Sequence, residues 1–245
     1  MLPGPGGRAS TPDRMRPKPN PLVALVVVTA VVTALSYALP VNHTATGVGA
    51  AFLAASFWLV LRRDEEAIRH AGLSLGGLLE PGPIRPGRLL GSAARAAGWA
   101  AALSALVFPP FIFGYRLYWH VHGDFHLRFP PGIGDEILGQ LVVVGLPEEA
   151  FNRGYLMTAL DDAWGTPWTI AKARLGWGWI VSSAAFALGH LLTEPNPARL
   201  GVFFPALLFG WMRARTGGVG GPALLHAMCN LLSTMLARGY GMAGG

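Results

Sequence analysis

Apolar residues along this chain do not alternate, nor do they recur on a single helical face. They come in blocks, over 22–39, 47–61, 96–115, 137–160, 177–192, 200–212 and 223–236, with Arg, Pro and Gly gathered in the gaps. A helix that is apolar all round belongs in a buried core or a bilayer. Most of these blocks approach the roughly 17–25 residues needed to cross the hydrocarbon. The pattern predicts an all-α fold, a polytopic transmembrane helix bundle of about seven spans. The sixth and seventh blocks are short enough to be tilted or half-helices. Between them Thr216-Gly-Gly-Val-Gly-Gly-Pro222 reads as a breaker.

Composition agrees. Of 245 residues 52% are hydrophobic and 13% charged, with a mean hydropathy of +0.41; soluble domains carry about 25% charged residues. The net charge of +6 would suit nucleic acid, but the charges fall between apolar blocks, so the expected surroundings are a lipid bilayer and no nucleic acid. One cysteine, Cys229, excludes an internal disulfide framework and a multi-cysteine metal site. Fourteen of the 19 Lys and Arg fall on one side of the seven-span arrangement and four on the other, Arg153 lying within a span. Basic loops stay in the cytoplasm, so the N-terminus is expected there. The chain divides into a disordered basic arm (1–21), N-terminal membrane helices (22–115), an extracytoplasmic loop (116–135) and a membrane core (136–245). The first block is read as an uncleaved helix, since a second span follows at once. The 62–95 stretch reads as a solvated basic loop. His120, His122 and His126 read as incidental members of an interfacial aromatic loop.

Polar residues inside the blocks carry the chemistry. Glu148, Glu149 and Arg153 stand within six residues of one another in an apolar span, His190 in the next, and His226 and Asn230 in the last. A charge at the bilayer centre costs between about 2.5 and 17 kcal/mol, so the set marks an intramembrane site. Glu149 and Arg153 are i and i+4, an ion-pair spacing. Glu148 is rotated about 100° from Glu149 and is free to face another surface. A free carboxylate can act as a general base toward water, His190 can help hold that water, and His226 with Asn230 can stabilise an oxyanion. Glu148, His190 and His226 also make a possible set of zinc ligands. The residues fit the glutamate route without a metal or other cofactor. Taken singly, His190 and Asn230 read as interhelical hydrogen-bonding groups and Phe186 as packing. A proton- or ion-coupled carrier uses similar groups, and an immunity or scaffold protein would need no reaction at all. By span limits, Glu148 lies roughly 18 Å below the outer end of its helix, His190 comes out nearer the outer edge and His226 nearer the inner one.

Glu148-Glu-Ala-Phe-Asn-Arg153, Phe186-Ala-Leu-Gly-His190 and His226-Ala-Met-Cys-Asn230, in that order, resemble the EExxxR, FxxxH and HxxxN motifs of the CPBP family of intramembrane proteases. That family includes the CAAX prenyl endoproteases and bacterial proteins linked to bacteriocin immunity and protein sorting. The resemblance covers roughly residues 137–238. It implies a glutamic-type peptidase in which Glu148 activates water with His190, His226 and Asn230 form the oxyanion hole, and Glu149, Arg153 and Phe186 support the architecture. It further implies membrane-anchored protein substrates cut near a membrane-proximal, C-terminal end, and a multi-pass protein of the bacterial inner membrane. Asn152 departs from the pattern, since bacterial members commonly have an aromatic residue there. The segment from Thr193 to Arg215 is similar to that of members proposed to remove C-terminal sorting tails.

Overall fold

The structure, a computed structural model, describes residues 19–242. The basic arm expected over 1–21 therefore lies outside the described residues as far as residue 18. Helix α1 (Pro21–Ala38) opens with Pro21 in its first turn, and the Asn20 side chain accepts from the Leu22 N–H at 2.9 Å. Pro fits this position because its missing N–H would have had no partner there. Helix α2 (Val41–Ser56) runs on into a π-helical stretch, Phe57–Leu61. It begins six residues before the apolar block because Thr44 can be accommodated: its hydroxyl donates to the Pro40 carbonyl at 3.1 Å. After the short α3 (Glu65–His70), α4 (Pro86–Tyr118) takes in the end of the stretch expected to be loop, again starting on a proline, with Pro109 and Pro110 inside it.

The next pass is a helix in five pieces, α5 (Ile133–Leu138), a π stretch Gly139–Gly145, α6 (Leu146–Glu149), a second π stretch Ala150–Leu156, and α7 (Met157–Trp164). The Leu146 N–H reaches back five residues to the Leu141 carbonyl, and that of Met157 to Asn152. Pro147, which has no N–H and crowds the preceding turn, sits at the junction the first widening accommodates. A hairpin of β1 (Trp168–Ile170) and β2 (Ala173–Leu175) follows, antiparallel with Thr169 opposite Arg174. It corrects the expectation of a purely helical chain. Ala171 and Lys172 at its turn have positive φ, 47° and 66°, the sense of a primed hairpin turn. Helices α8 (Trp177–Thr193), α9 (Phe203–Thr216) and α10 (Gly220–Gly239) complete the chain, with a 3-10 turn, Pro197–Val202, before α9. The breaker shrinks to 217–219, where Gly217 ends α9 in the left-handed region at φ 79°. Helix α9 has 14 residues and α10 has 20.

The described chain is 76% helical, and α1, the α2 stretch to Leu61 and α4 are long and apolar enough to cross a membrane. Their outward faces are apolar; Val26, Leu90 and Leu106, for instance, are all about two-thirds exposed, at 67%, 68% and 70%. At one end of the bundle Val60, Ile68, Leu73, Phe151, Leu156 and Val219 pack into the main core, and the Val219 N–H donates to the Gly72 carbonyl at 3.0 Å. Residues 68–73 thus fold beneath the α9–α10 turn and seal that end. A clamp lies alongside: Glu80 accepts from Arg88 Nη1 at 2.6 Å and Arg69 Nε at 3.1 Å. The two guanidiniums, Arg88 foremost, hold the Glu80 carboxyl well below the usual carboxylate range.

Candidate active site

Two glycines set the distances around the motif helix. Gly49 of α2 lies so close to the Val143 carbonyl that any side chain would collide with it, and a Cβ on Gly145 would stand 2.8 Å from the Ala223 carbonyl. The second contact brings α10 onto the wide turn ahead of the paired glutamates. His226, three residues on from Ala223 and so on the same face of α10, then reaches Glu149.

Glu149 and Arg153 are wholly buried. Glu149 Oε1 accepts from Arg153 Nη1 at 2.9 Å and from His226 Nδ1 at 3.0 Å. Arg153 Nη2 donates to the Ala206 carbonyl at 3.2 Å, and the guanidinium lies 4.4 Å from the Phe186 ring centroid and 5.5 Å from that of Phe209. The salt bridge expected from spacing is therefore present and ties α9 and α8 to the motif helix. Phe186 does more than pack: its face covers the guanidinium, a cation–π contact, and its carbonyl holds His190.

Glu148 points the other way. It lines a cavity of about 1670 Å³ together with His190, His226 and Asn230, while Glu149 and Arg153 do not reach it. Glu148 Oε2 is buried without a hydrogen-bond partner and lies 3.9 Å from His226 Nε2. His226 stacks on Phe209, ring centroids 5.1 Å apart and planes 14° from parallel. His190 Nδ1 lies 3.0 Å from the Phe186 carbonyl, which can only accept. His190 thus carries its proton on Nδ1 and presents Nε2 as an acceptor. The same logic applies to His226, whose Nδ1 donates to a carboxylate, so Nε2 is left to accept, or to donate once the ring takes a second proton.

The span limits put His226 and Glu148 at different heights, yet the fold brings His226 Nε2 to 3.9 Å from Glu148 Oε2.

Two participants were missed by sequence reasoning. Gln140 lines the cavity and its Oε1 accepts from Asn230 Nδ2 at 2.8 Å, while its own Nε2 donates to Glu136 Oε1 at 3.1 Å. Glu136 can only accept, so Gln140 must turn its amide nitrogen toward it and its oxygen toward Asn230. Asn230 must answer with its NH2, whose second hydrogen remains available. The signal was an uncharged amide in an apolar block, eight residues before Glu148 and so near its face of the helix. The other is Asn152, which is buried and donates to the Glu148 carbonyl at 2.9 Å. It supplies a polar partner to a backbone group beside the π stretch. Among the described residues no three His, Cys, Asp or Glu side chains are grouped so as to hold a metal ion.

A family model described as type II CAAX prenyl endopeptidase, Rce1-like, matches residues 136–232, from Glu136 to just beyond Asn230. Comparison with curated proteins and with solved structures gives no match.

Proposed function

We propose, from the match of residues 136–232 to an Rce1-like family model, that the protein is a multi-pass intramembrane endopeptidase acting through Glu148. The observation that carries this is the division of labour between adjacent carboxylates: Glu149 Oε1 is occupied by Arg153 and His226, whereas Glu148 lines the cavity that Glu149 does not reach. In this reading a water bound between Glu148 and His190 Nε2 gives its proton to Glu148 as its oxygen attacks the substrate carbonyl. The carbonyl π electrons move onto oxygen. In the oxyanion hole formed by His226 and Asn230, the free N–H of Asn230 donates to the resulting oxyanion. Glu148 then hands the proton to the leaving nitrogen as the C–N bond breaks and the carbonyl re-forms. No step calls for a metal ion. Oxyanion donors of this kind are worth about 2.7–4 kcal/mol each, and a positioned base about 10²–10⁴-fold.

The chain crosses the membrane seven times with its N-terminus in the cytoplasm, in this same reading. The crossings are α1, the α2 stretch, α4, the 133–164 pass, α8, the 197–216 stretch and α10. Substrates are membrane-anchored proteins cut near a C-terminal, membrane-proximal bond, as in removal of a sorting tail, and the setting is a bacterial inner membrane. The test replaces Glu148 by Gln, which keeps shape and removes basicity, and compares C-terminal peptides of membrane and secreted proteins with wild type. Tails retained only in the variant are expected. Identical termini with the variant stably present would overturn the peptidase reading and leave a carrier or scaffold.

A further inference from the structure

The cavity has an open end and a closed end. At the closed end the core around Ile68, Leu73, Phe151 and Leu156 fills the bundle, and Phe151 of that core also lines the cavity. No cavity-lining residue comes from the segments 62–85, 165–176 or 213–219 at that end. Much of the lining comes from the opposite end: the start of α2, the last three turns of α4 and the segment from Glu194 to Phe204, while Leu25, Thr29 and Val32 of α1 line its depth. Several of those residues are strongly exposed, Val41 at 95% and Phe204 at 73% among them. Hydrogen bonds between Tyr37 and the Leu192 carbonyl, and between the His126 N–H and the Gly239 carbonyl, show that the turns after α1, α4, α8 and α10 share this end.

Basic residues divide by end. The closed end holds Arg62 and Arg63, Arg69, three more over 85–95, two over 172–174 and two over 213–215, ten among the described residues. The open end holds Arg116, Arg128, Arg199 and Arg238, four, and one of these, Arg199, is engaged with Glu194 at 3.1 Å. A bias of this size in short loops keeps the closed end in the cytoplasm. Solvent and polypeptide can then reach Glu148 only from the other face.

We infer that the cavity is filled from the extracytoplasmic face, so that the segments it takes belong to exported proteins and not to cytoplasmic ones. This rests on the peptidase reading for what happens inside the cavity, but not for where the cavity opens. An exported protein held by an apolar tail presents its membrane-proximal segment at the height of the open end. A cytoplasmic lipid-anchored protein would meet the sealed core instead.

The experiment uses the full chain with Cys229→Ser, carrying either Val41→Cys at the open end or Glu66→Cys at the closed end. Both positions are exposed; Val41 stands at the mouth of the cavity and Glu66 away from it, and neither takes part in the proposed reaction. Sealed right-side-out vesicles are treated with a membrane-impermeant maleimide, before and after permeabilisation. Val41→Cys is expected to react in sealed vesicles and Glu66→Cys only after permeabilisation. Protection of Val41→Cys in sealed vesicles overturns the inference, and so does reaction of Glu66→Cys there. The readout needs no substrate. A labelling pattern as expected, together with unchanged C-terminal peptides in the Glu148→Gln comparison, would remove the peptidase and keep the orientation; the converse would do the reverse.

Discussion

Replacing Glu149 by Ala removes one oxygen that two buried donors share. Arg153, fully enclosed, would keep only the Ala206 carbonyl and two aromatic faces, and its Nε has no partner to begin with. Breaking a buried pair from one side costs about 3–5 kcal/mol because the remaining charge stays in place. The lost bond from His226 Nδ1 adds about 1 kcal/mol, the low side of hydrogen-bond values found between membrane helices. Arg153→Ala is the informative partner, because Glu149 would still have His226 at 3.0 Å. It should therefore cost less than Glu149→Ala, about 2–4 kcal/mol. In the double variant no charge is stranded, so the cost should fall short of the sum by at least about 2 kcal/mol. Reversible unfolding of the purified chain in mixed micelles measures all three. Single variants within about 1 kcal/mol of wild type, or an additive double, would refute the account of Glu149 as a shared acceptor.

The relay through Gln140 makes a kinetic prediction: Gln140→Ala should lower kcat about 10-fold with KM little changed. Full loss of an oxyanion donor costs about 10²–10³-fold; adding Gln140→Ala to Asn230→Ala should cost nothing further, and an additive loss would separate the two residues. Gly145→Ala should destabilise by about 1–3 kcal/mol, the usual penalty of overpacking, because its Cβ would press on the Ala223 carbonyl; unfolding in micelles checks it, and wild-type stability would contradict the close approach. Glu80→Gln should speed tryptic cleavage at Arg85 and Arg88 at pH 8. A carboxyl whose folded value is depressed contributes stability above its unfolded value near 4.5 and loses it as pH falls through the lower folded value. The stability difference between wild type and this variant should therefore be present at pH 7 and close only in acid below the ordinary carboxylate range.

Much of this arrangement is legible in the sequence because its signals are local. Glu149 and Arg153 are one turn apart, and that spacing alone gives their bond and leaves Glu148 on another face. The apolar blocks locate all seven long helical stretches, though not their ends. The early starts of α2 and α4 are set by Pro40 and Pro86 and by where polar side chains can be satisfied, as Thr44 is by the Pro40 carbonyl. Three-residue strands are too short to show a period, so the 168–175 hairpin was invisible. The bond from Glu149 to His226 spans 77 positions, and that from Gln140 to Asn230 spans 90. Nothing in spacing along one helix can announce such contacts. They depend on α10 approaching through Gly145, and on residues 68–73 lying under the α9–α10 turn.

The widened turns on either side of Glu148 and Glu149 also bear on how the sequence can change. A π turn is one residue more than an α-helix needs in the same length of axis. Deleting Val142, which lies in the first π stretch and is itself half-exposed at 52%, would let the backbone close to ordinary pitch with no hydrogen bond lost. Because the wide turn already absorbs the extra residue, everything beyond the deletion would keep nearly its phase relative to α5, with Gln140 then about seven residues, close to two ordinary turns, before Glu148. Gln140 would still share a face with Glu148. The first π stretch is thus where one residue can be removed with Glu148 still facing the cavity, whereas a deletion in the α-helical pieces beside it would turn everything beyond by about 100°.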